Sequence, residues 1–169
     1  MRTGIGYDVH RLAAGRDLIL GGVKISHTKG LLGHSDADCL THAICDALLG
    51  SLGAGDIGQH FPDNDGRFKD ISSLKLLETV VKMVEAKGYQ INNIDATIVA
   101  ESPKLAPYIF QMRETVAPIL KISLDQINIK ATTTEGLGFI GHAEGIAAYA
   151  VASIVRKEER EGKIREVKK

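Results

Sequence analysis

Three residues near the start of the chain have the types and spacing of a metal site: Asp8 and His10 in the run Asp8-Val9-His10, and His42 further along. If residues 5–10 form a β-strand, Asp8 and His10 point to the same face of it. A catalytic zinc site typically uses three nitrogen or oxygen ligands from the protein and leaves a fourth position open. A histidine on a following helix can supply the third ligand. The spacing is short and common, so taken alone it favours a plainer alternative, in which Asp8 caps a turn and the histidines are ordinary polar residues.

Hydrophobic periodicity predicts the elements that must position these residues. Residues 2–9 are Gly-rich and then alternate, which suits a first strand, and Gly4 and Gly6 in it indicate a close backbone approach or a bulge. Residues 36–49 have a helical apolar stripe and carry His42. Further strands are predicted over 89–100, 127–133 and 146–155, a short hairpin or bend over 17–25, and a second long helix over 71–87. Strands that alternate with helices indicate an α/β sandwich of one sheet and one helix layer.

The composition is that of one ordinary globular domain. The 169 residues are 44% hydrophobic and 25% charged, which is enough for a sizeable core. We assign residues 1–155 to this domain and the highly charged residues 156–169 to a tail, which is either a solvated helix or a frayed end. The 21 basic and 21 acidic side chains cancel and Trp is absent, so nucleic acid is not an expected partner. We find no signal peptide and no membrane-spanning apolar run, so we expect no membrane partner and a cytoplasmic protein.

Two neighbours of His42 on the predicted helix bear on the metal hypothesis. Asp46 comes four residues after His42 and can touch it, so it is a candidate to hold the ring N–H that faces away from a metal; the alternative is a solvated carboxylate. Cys39 comes three residues before His42 and can face the same way, but a small buried residue is its more ordinary role. Cys39 and Cys45 do not share a helix face, and we expect both to be reduced thiols of a cytosolic protein.

Two polar loops are further candidates for a binding site. Residues 50–58 and 60–66 are rich in glycine and polar residues, and long polar loops of compact domains are often functional. Asp56, Asp63 and Asp65 in these loops can bind sugar hydroxyls. Holding turns is nevertheless the role that these residue types favour when they are taken alone.

The run Thr132-Thr133-Thr134-Glu135 ends the strand predicted over 127–133. Three hydroxyls and a carboxylate at a strand end suit phosphate oxygens and a hard cation. Without further context, residue type favours the alternative that these β-branched residues simply fill a strand.

Six sequence motifs occur together and in order: GIGYDVHRL, GGVKI, HSDADCLTHAICDALLG, GDIGQHFPDND, AESPKL and KATTTEGLGF. In this combination the chain resembles the 2-C-methyl-D-erythritol 2,4-cyclodiphosphate synthase family over residues 2–155. The resemblance implies one mixed β-sheet covered on one face by helices, and a homotrimer with the sheets around a threefold axis. It also implies a phosphorus–oxygen lyase of the methylerythritol phosphate pathway to isoprenoid precursors. That enzyme converts 4-diphosphocytidyl-2-C-methyl-D-erythritol 2-phosphate to 2-C-methyl-D-erythritol 2,4-cyclodiphosphate and CMP.

The resemblance also implies two metal ions. Asp8, His10 and His42 match the family's zinc ligands, with one zinc ion per subunit. The open fourth position of that ion would take an oxygen of the β-phosphate. Glu135 matches the residue that holds a second cation, Mg²⁺ or Mn²⁺, together with the substrate phosphates.

Catalytic and substrate-binding positions follow from the same matches. His34 and Thr133 match catalytic positions that would donate hydrogen bonds where charge develops on the transferring phosphoryl group, and Ser35 matches a phosphate contact. Lys104 is the basic member of the implied cytidine pocket. The implied substrate contacts are Asp8, Val9, His10, His34 and Ser35 around the metal; Asp56, Ile57, Gly58, Phe61, Pro62, Asp63, Asn64 and Asp65 in the methylerythritol pocket; Ala100, Glu101, Ser102, Pro103, Lys104, Leu105, Ala106, Ala131, Thr132 and Thr133 in the cytidine pocket; and Thr134, Glu135, Phe139 and His142 beyond them.

In the family each site lies between neighbouring subunits, with the zinc ligands from one chain and the cytidine loop from the next, so a lone monomer would be inactive. One position departs from the family. An arginine that often points into the central cavity, and can bind an isoprenoid diphosphate there, is replaced by His142. Histidine is only partly charged at neutral pH and lacks the bidentate fork of arginine. Isoprenoid diphosphate binding is therefore left open, and would be weaker than in arginine-bearing relatives and stronger at low pH.

Two other functions are compatible with these residues. One is a zinc phosphohydrolase that uses the same ligands, with water as the nucleophile. The other is a non-catalytic module that binds a nucleotide or an isoprenoid diphosphate. The set of Asp8, His10, His42 and Glu135 argues against the binding module, because such a module has no need of an open metal position. Product analysis separates the cyclase from the hydrolase.

Overall fold

The computed structural model of the protein describes residues 1–62, 64–68 and 70–157. Asp63, which is implied to contact substrate, and residues 158–169 of the predicted tail lie outside the described residues. The strands are β1 (Arg2–Ala14), β2 (Leu18–Leu20), β3 (Val23–Ile25), β4 (Lys29–Leu32), β5 (Tyr89–Val99), β6 (Ile127–Thr132) and β7 (Gly145–Arg156). The helices are α1 (Cys39–Leu52), α2 (Ile57–His60), α3 (Ser73–Ala86), α4 (Ile109–Leu120) and α5 (Gly138–Gly141). In the described part of the chain, no helix has the length and apolar character needed to cross a membrane.

Five strands form one mixed sheet in the order β4-β1-β7-β5-β6. Strands β5 and β6 run parallel, and the other three neighbouring pairs are antiparallel. The pairing of β1 with β7 extends from Arg2 opposite Ile154 to Arg11 opposite Gly145. Strands β2 and β3 form a separate hairpin around Gly21 and Gly22. The α/β fold built on one mixed main sheet is therefore confirmed, and the β2-β3 hairpin lies outside that sheet.

The sheet has one covered face and one exposed face. Helices α1, α3 and α4 pack on the covered face, where alternate residues of β5, namely Ile94, Ala96 and Ile98, are buried. The alternation over 89–100 predicts this inward face, and the burial confirms it. Large apolar side chains remain exposed on the opposite face; they are Ile5, Tyr7, Val9, Tyr149 and Val151. A single chain thus leaves an apolar sheet face uncovered.

Strand β1 lies very close to helix α1 because it has glycines on the covered face. An ideal Cβ at Gly4 would lie 2.2 Å from Ala47 O, and one at Gly6 would lie 2.0 Å from Ala43 O. Neither position can hold a side chain without a shift of the backbone, so the predicted close approach is confirmed. This contact sets the distance between α1 and the end of β1 that carries the candidate metal ligands.

Helix α1 begins and ends three residues later than the sequence predicts. Its N-cap is Asp38, whose side chain accepts a backbone N–H of the first turn at 3.0 Å. Ala37, just before it, has a φ of 57° and is not helical. The helix continues through Gly50 and ends at Gly53, which has a left-handed φ of 67°. As a result His42 lies near the start of the helix, beside the end of β1.

The remaining long elements lie close to their predicted bounds. Helix α3 is three residues shorter than the predicted 71–87, and strand β6 is one residue shorter than the predicted 127–133. The segment 146–155 alternates along its length, and the structure confirms that it is a strand, β7. This strand lies between β1 and β5, and its alternate residues Ala148, Ala150 and Ala152 are buried.

Candidate metal-binding active site

Three ligand atoms converge where the end of β1 meets the start of α1. Asp8 Oδ2 lies 3.0 Å from His42 Nδ1 and 2.9 Å from His10 Nε2, and the two imidazole nitrogens are 3.2 Å apart. Ligands at about 2.0–2.1 Å from a tetrahedral zinc ion are about 3.4 Å from one another. The three atoms therefore form a triangle close in size to one face of such a tetrahedron. We call Asp8, His10 and His42 the metal-ligand cluster.

The surroundings of the two imidazoles direct lone pairs to the centre of this triangle. His10 Nδ1 lies 2.9 Å from Leu32 O, and because a carbonyl only accepts, Nδ1 carries the proton. The Nε2 atom of His10 then presents its lone pair to the centre. His42 Nε2 faces the hydroxyls of Ser73 and Ser35 at 2.8 and 3.2 Å, which leaves Nδ1 turned to the same point. A divalent cation is the partner that such a set of donors fits.

The electrostatics of the cluster favour positive charge at its centre. Burial alone would raise the pKa of Asp8, but hydrogen bonds and charge interactions with His10 and His42 lower it well below its usual value. The carboxylate is therefore ionised at neutral pH, as a metal ligand must be. Burial alone would lower the pKa of His10, yet Asp8 raises it. The carboxylate thus attracts positive charge to this nitrogen, whether a proton or a metal ion.

The prediction that Asp46 holds the outer nitrogen of His42 is wrong. Asp46 Oδ1 accepts the backbone N–H of Ile57 at 2.7 Å, so the carboxylate is turned to the start of α2. The group closest to His42 Nε2 is instead the hydroxyl of Ser73, the first residue of α3. Cys39 is buried, and burial raises the pKa of its thiol well above the usual value. Its sulfur does not join the ligand atoms of the cluster, so Cys39 has the role of a small core residue.

A cavity of about 230 Å³ opens beside the metal-ligand cluster. Its other walls are formed by Gly33, His34, Ser35, Ile57, Gly58, Phe61, Phe68 and Leu76. Five of these residues are implied substrate contacts, and sequence reasoning missed Gly33, Phe68 and Leu76. The rings of Phe61 and Phe68 meet edge to face with centroids 5.3 Å apart. The cavity therefore has a polar end at the cluster and an apolar side.

Asp56, another implied contact in the polar loops, holds the loop itself. Asp56 caps α2, accepting the backbone N–H of Gln59 at 3.0 Å and its side-chain amide at 2.7 Å. These hydrogen bonds lower the pKa of Asp56. This is the turn-holding role that its residue type favours. Among the described residues, Pro62, Asn64 and Asp65 do not line the cavity.

Most residues of the implied cytidine pocket line a second cavity, of about 190 Å³. It lies where the parallel strands β5 and β6 end, and its walls are Ala100, Glu101, Pro103, Lys104, Leu105, Ala106, Ala131, Thr132 and Thr133. Ser102, the remaining member of the set, does not line it. The two cavities share no residue. Three strand spacings, or about 14 Å, separate β1 from β6 across the sheet.

The Thr-Thr-Thr-Glu segment after β6 is held by its own hydroxyls. Thr133 Oγ1 donates to Glu135 Oε1 at 2.8 Å, and Thr134 Oγ1 donates to a backbone carbonyl at 2.7 Å. Glu135 is exposed and does not join the metal-ligand cluster of the same chain. Phe139, in α5, and His142, just after it, are exposed as well.

Arg16 supports the loop that carries His34 and Ser35, and sequence reasoning did not identify it. Its guanidinium donates to the carbonyls of Leu31, Gly33 and Ser35 at 3.3, 3.3 and 3.0 Å. These partners come 15 to 19 residues later in the chain. No local sequence pattern predicts such a contact, because β2 and β3 lie between Arg16 and its partners in the chain.

The fold and the site together define a class of protein. A carboxylate and two imidazoles gathered at the end of a cavity in an α/β domain are the arrangement of a metal-dependent enzyme. A sequence model of the YgbB family matches residues 1–155. A 2-C-methyl-D-erythritol 2,4-cyclodiphosphate synthase from Alkaliphilus metalliredigens (strain QYMF) is 63% identical over 154 residues, which cover 91% of this chain and 97% of that protein. The chain belongs to the YgbB family.

Solved structures agree with this membership. The bifunctional IspDF from Campylobacter jejuni superimposes with a TM-score of 0.88 at 43% identity, over 92% of this chain and 42% of that one. IspF of Plasmodium falciparum, in a CDP complex, superimposes with a TM-score of 0.81 at 34% identity, over 92% and 96% of the two chains. The resemblance that the six motifs indicate is therefore confirmed.

Proposed function

We propose that this chain converts 4-diphosphocytidyl-2-C-methyl-D-erythritol 2-phosphate to 2-C-methyl-D-erythritol 2,4-cyclodiphosphate and CMP, in the methylerythritol phosphate pathway to isoprenoid precursors. The observation that carries the proposal is the convergence of Asp8 Oδ2, His10 Nε2 and His42 Nδ1 beside a cavity. Membership of the YgbB family supports it, as do relatives at 63% and 59% identity that are named for this synthase activity.

The proposed reaction is an intramolecular phosphoryl transfer. An oxygen of the substrate's 2-phosphate forms a bond to the β-phosphorus of its diphosphate, and the bond from that phosphorus to the bridging oxygen breaks. The electron pair of the broken bond leaves with CMP, and an eight-membered ring closes. The attacking phosphate is already ionised near neutral pH, so no strong general base is required. Because attacker and target are both anionic, the protein must supply positive charge and hydrogen-bond donors.

Charge and hydrogen bonds come from different parts of the site. Zinc at the metal-ligand cluster, and magnesium or manganese at Glu135, would supply the positive charge that polarises phosphoryl oxygens. His34 borders the same cavity, so its imidazole can donate to oxygens on which charge develops. The Ser35 hydroxyl, also in the wall, is a proposed phosphate contact. Thr133 lies in the second cavity, and we propose that it acts at the site of a neighbouring subunit.

The two cavities divide the recognition of substrate between them. We propose that the second cavity binds cytidine, with backbone groups reading the base and Lys104 providing charge. Ile57, Gly58 and Phe61, which line the first cavity, are proposed to bind the methylerythritol unit together with Asp56 and residues 62–65. Holding both ends of a flexible substrate brings the reacting groups together, and such orientation can contribute about 7–11 kcal/mol in intramolecular reactions.

We propose that three chains assemble with their uncovered sheet faces around a threefold axis. The apolar side chains of that face, such as Ile5 with 71% of its surface exposed, favour burial against another chain. The separation of about 14 Å between β1 and β6 supports a site that combines one chain's cluster with a neighbour's cytidine cavity. Light scattering is expected to give three times the chain mass of 18.2 kDa. A fully active monomer would contradict this assembly.

The position of His142 bears on a possible second ligand. The side chain is exposed just after α5. We propose that any isoprenoid diphosphate bound in the centre of the trimer is held weakly at neutral pH and more tightly at low pH, when the imidazole is charged. Titrations at two pH values test this, and tight binding that does not change with pH refutes it.

Two further assignments complete the proposal. We place the enzyme in the cytoplasm, because Cys39 and Cys45 are both free and buried and free thiols fit a reducing compartment. We also propose that residues 1–155 form the synthase domain and that residues 156–169 form a charged extension of it.

Product analysis of the purified protein with zinc and magnesium tests the function. We expect equal amounts of CMP and a cyclic diphosphate, measured by chromatography and phosphorus NMR. A linear diol phosphate would identify a hydrolase, and bound but unchanged substrate would identify a binding module. Asp8→Asn should lower the rate by more than about 100-fold, since even the partners of metal ligands are worth about 10–100-fold. Asp17→Asn is the matched control, because Asp17 is an exposed carboxylate paired with Lys24, and it should leave the rate unchanged.

A further inference from the structure

The outer nitrogen of His42 is the start of a chain of hydrogen bonds that leads away from the metal-ligand cluster. His42 Nε2 lies 2.8 Å from the hydroxyl of Ser73. That hydroxyl also contacts Asp36 Oδ1, while Asp36 Oδ2 accepts the backbone N–H of Ser73 at 3.0 Å. Ser73 is fully buried, and only 9% of His42 is exposed. The chain therefore runs through protein and largely out of contact with water.

The direction of each hydrogen bond follows from what each group can do. An ionised carboxylate only accepts, so the Ser73 hydroxyl donates its proton to Asp36. The lone pairs of the same hydroxyl are then free to accept the N–H of His42 at Nε2. With its proton on Nε2, the imidazole has a lone pair on Nδ1, which is the atom 3.0 Å from Asp8 Oδ2. The carboxylate thus selects, through one hydroxyl, the form of His42 that can bind a metal.

No other carboxylate of the described residues reaches this nitrogen. Asp46 is hydrogen-bonded to Ile57. The hydroxyl of Ser35 is 3.2 Å from His42 Nε2, but it accepts the backbone N–H of Ala37 at 3.2 Å and has no carboxylate partner among the described contacts. Ser35 is therefore a weaker second acceptor for the same N–H.

We infer that Asp36, acting through the hydroxyl of Ser73, is a positioning residue that orients His42 and strengthens metal binding at the cluster. Groups that hold the outer N–H of a metal-bound histidine fix its ring and raise its basicity, and their loss typically costs about 10–100-fold in metal affinity or activity. Here the Asp36 carboxylate acts through the hydroxyl of Ser73, which belongs to α3. The orientation of His42 on α1 therefore depends on a residue of a second helix. The inference rests on the metal site of the proposed function and not on its substrate.

Zinc affinity, measured by competition with a chelator and without substrate, tests the first link. Ser73→Ala should weaken zinc binding by about 10-fold or more and alter the visible absorption of the Co²⁺-substituted protein, which reports ligand geometry. Ser72→Ala is the matched control, because this neighbouring serine makes no capping hydrogen bond with its side chain, and it should leave both readouts unchanged. Thermal melting of each variant shows that it is folded under the conditions of the assay.

A double-mutant cycle tests whether Asp36 acts through Ser73. Asp36→Asn alone should weaken zinc binding, since an amide cannot accept both Ser73 contacts. In the Ser73→Ala background the same change should have almost no further effect, because the link is already broken. Additive effects of the two changes, or an unchanged zinc affinity of Ser73→Ala, would overturn the inference while leaving the cyclase proposal intact. If the unaltered protein fails to bind zinc, both the inference and the proposed function are wrong.

Discussion

The glycine at position 6 offers the sharpest test of how the fold builds the metal site. An ideal Cβ at Gly6 would lie 2.0 Å from Ala43 O and 2.7 Å from Ala47 N, both backbone atoms of α1. Gly6→Ala therefore adds one methyl group where no flexible side chain can move aside. The change is made two residues before Asp8 and leaves all three candidate ligands in place.

The size of the effect follows from these distances. The new Cβ would have to move from 2.0 Å to an ordinary contact distance of 3.4 Å from Ala43 O, so β1 and α1 would have to separate by about 1.4 Å. If α1 moves as a rigid body, the distance between Asp8 Oδ2 and His42 Nδ1 rises from 3.0 Å by a similar amount. Binding sites need their groups held within about 0.5 Å, and a misplacement of about 1 Å can cost about 100-fold in rate. Overpacking itself costs about 1–3 kcal/mol of stability.

The assay compares Gly6→Ala with Gly50→Ala. Gly50 lies in α1 on the side that meets β1, but a Cβ there would be 3.6 Å from Ile5 O, an ordinary contact. Gly50→Ala should bind zinc normally and gain about 0.5–1 kcal/mol of stability from helix propensity. Gly6→Ala should lose at least about tenfold in zinc affinity and about 100-fold in CMP release, and both variants should still melt cooperatively.

Either of two outcomes would refute this reasoning. If folded Gly6→Ala binds zinc with unchanged affinity and releases CMP at the normal rate, the spacing of β1 and α1 does not control the site. If Gly50→Ala shows the same losses as Gly6→Ala, the effect belongs to the helix in general and not to the close approach.

Three further outcomes are expected. Asp38 accepts the buried backbone N–H of Gly21 at 2.9 Å and the half-buried N–H of Gly22 at 2.7 Å, each through a different oxygen. In Asp38→Asn an amide nitrogen replaces one of these oxygens and leaves an N–H without its acceptor, so the change should cost about 1–3 kcal/mol in urea unfolding; unchanged stability would contradict this. The hydrogen bond from Lys121 lowers the pKa of Glu85 below its ordinary 4.5. The coupling free energy of the two residues in a double-mutant cycle should therefore be about 0.2–1 kcal/mol at pH 7 and should vanish as the pH falls through the lowered pKa. Equal coupling in strong acid would refute the pairing. Zinc at 100 times its dissociation constant should stabilise the folded protein by about 2.7 kcal/mol. A chelator should remove this stabilisation, but it should leave the melting of Asp8→Asn unchanged.

The parts of the fold that local patterns encode could be predicted from the sequence. Alternation over 89–100 gave both the strand and its inward face, since side chains of a strand alternate between faces. Residues 146–155 alternate in the same way, and the structure confirms the strand. The two glycines of β1 indicated the close approach to another backbone. The six motifs indicated the family because their order and combination are specific even where each motif is weak.

Contacts between distant segments could not be predicted in the same way. Asp46 was the natural partner for His42 because helix geometry puts residues four apart side by side. In the structure the Asp46 carboxylate accepts the backbone N–H of Ile57 instead. The partner of His42 Nε2 is the hydroxyl of Ser73, which is 31 residues away in the sequence. The start of α1 was also displaced, because Asp38, which caps it, is held by contacts with Gly21 and Gly22 that are distant in sequence. Long-range hydrogen bonds leave no periodic signal in a single sequence.

The pairing of β1 with β7 brings the start of β1 and the end of β7 together. Arg2 lies opposite Ile154 on the adjacent strand, while Asp8 is six residues, or about 20 Å, further along β1. A circularly permuted chain that joins these ends through a few glycines, and opens at an exposed turn elsewhere, would preserve every strand's neighbours. A module fused before Arg2 would likewise begin about 20 Å along β1 from Asp8. The architecture thus tolerates a change in the order of the sequence more readily than a single methyl group between β1 and α1.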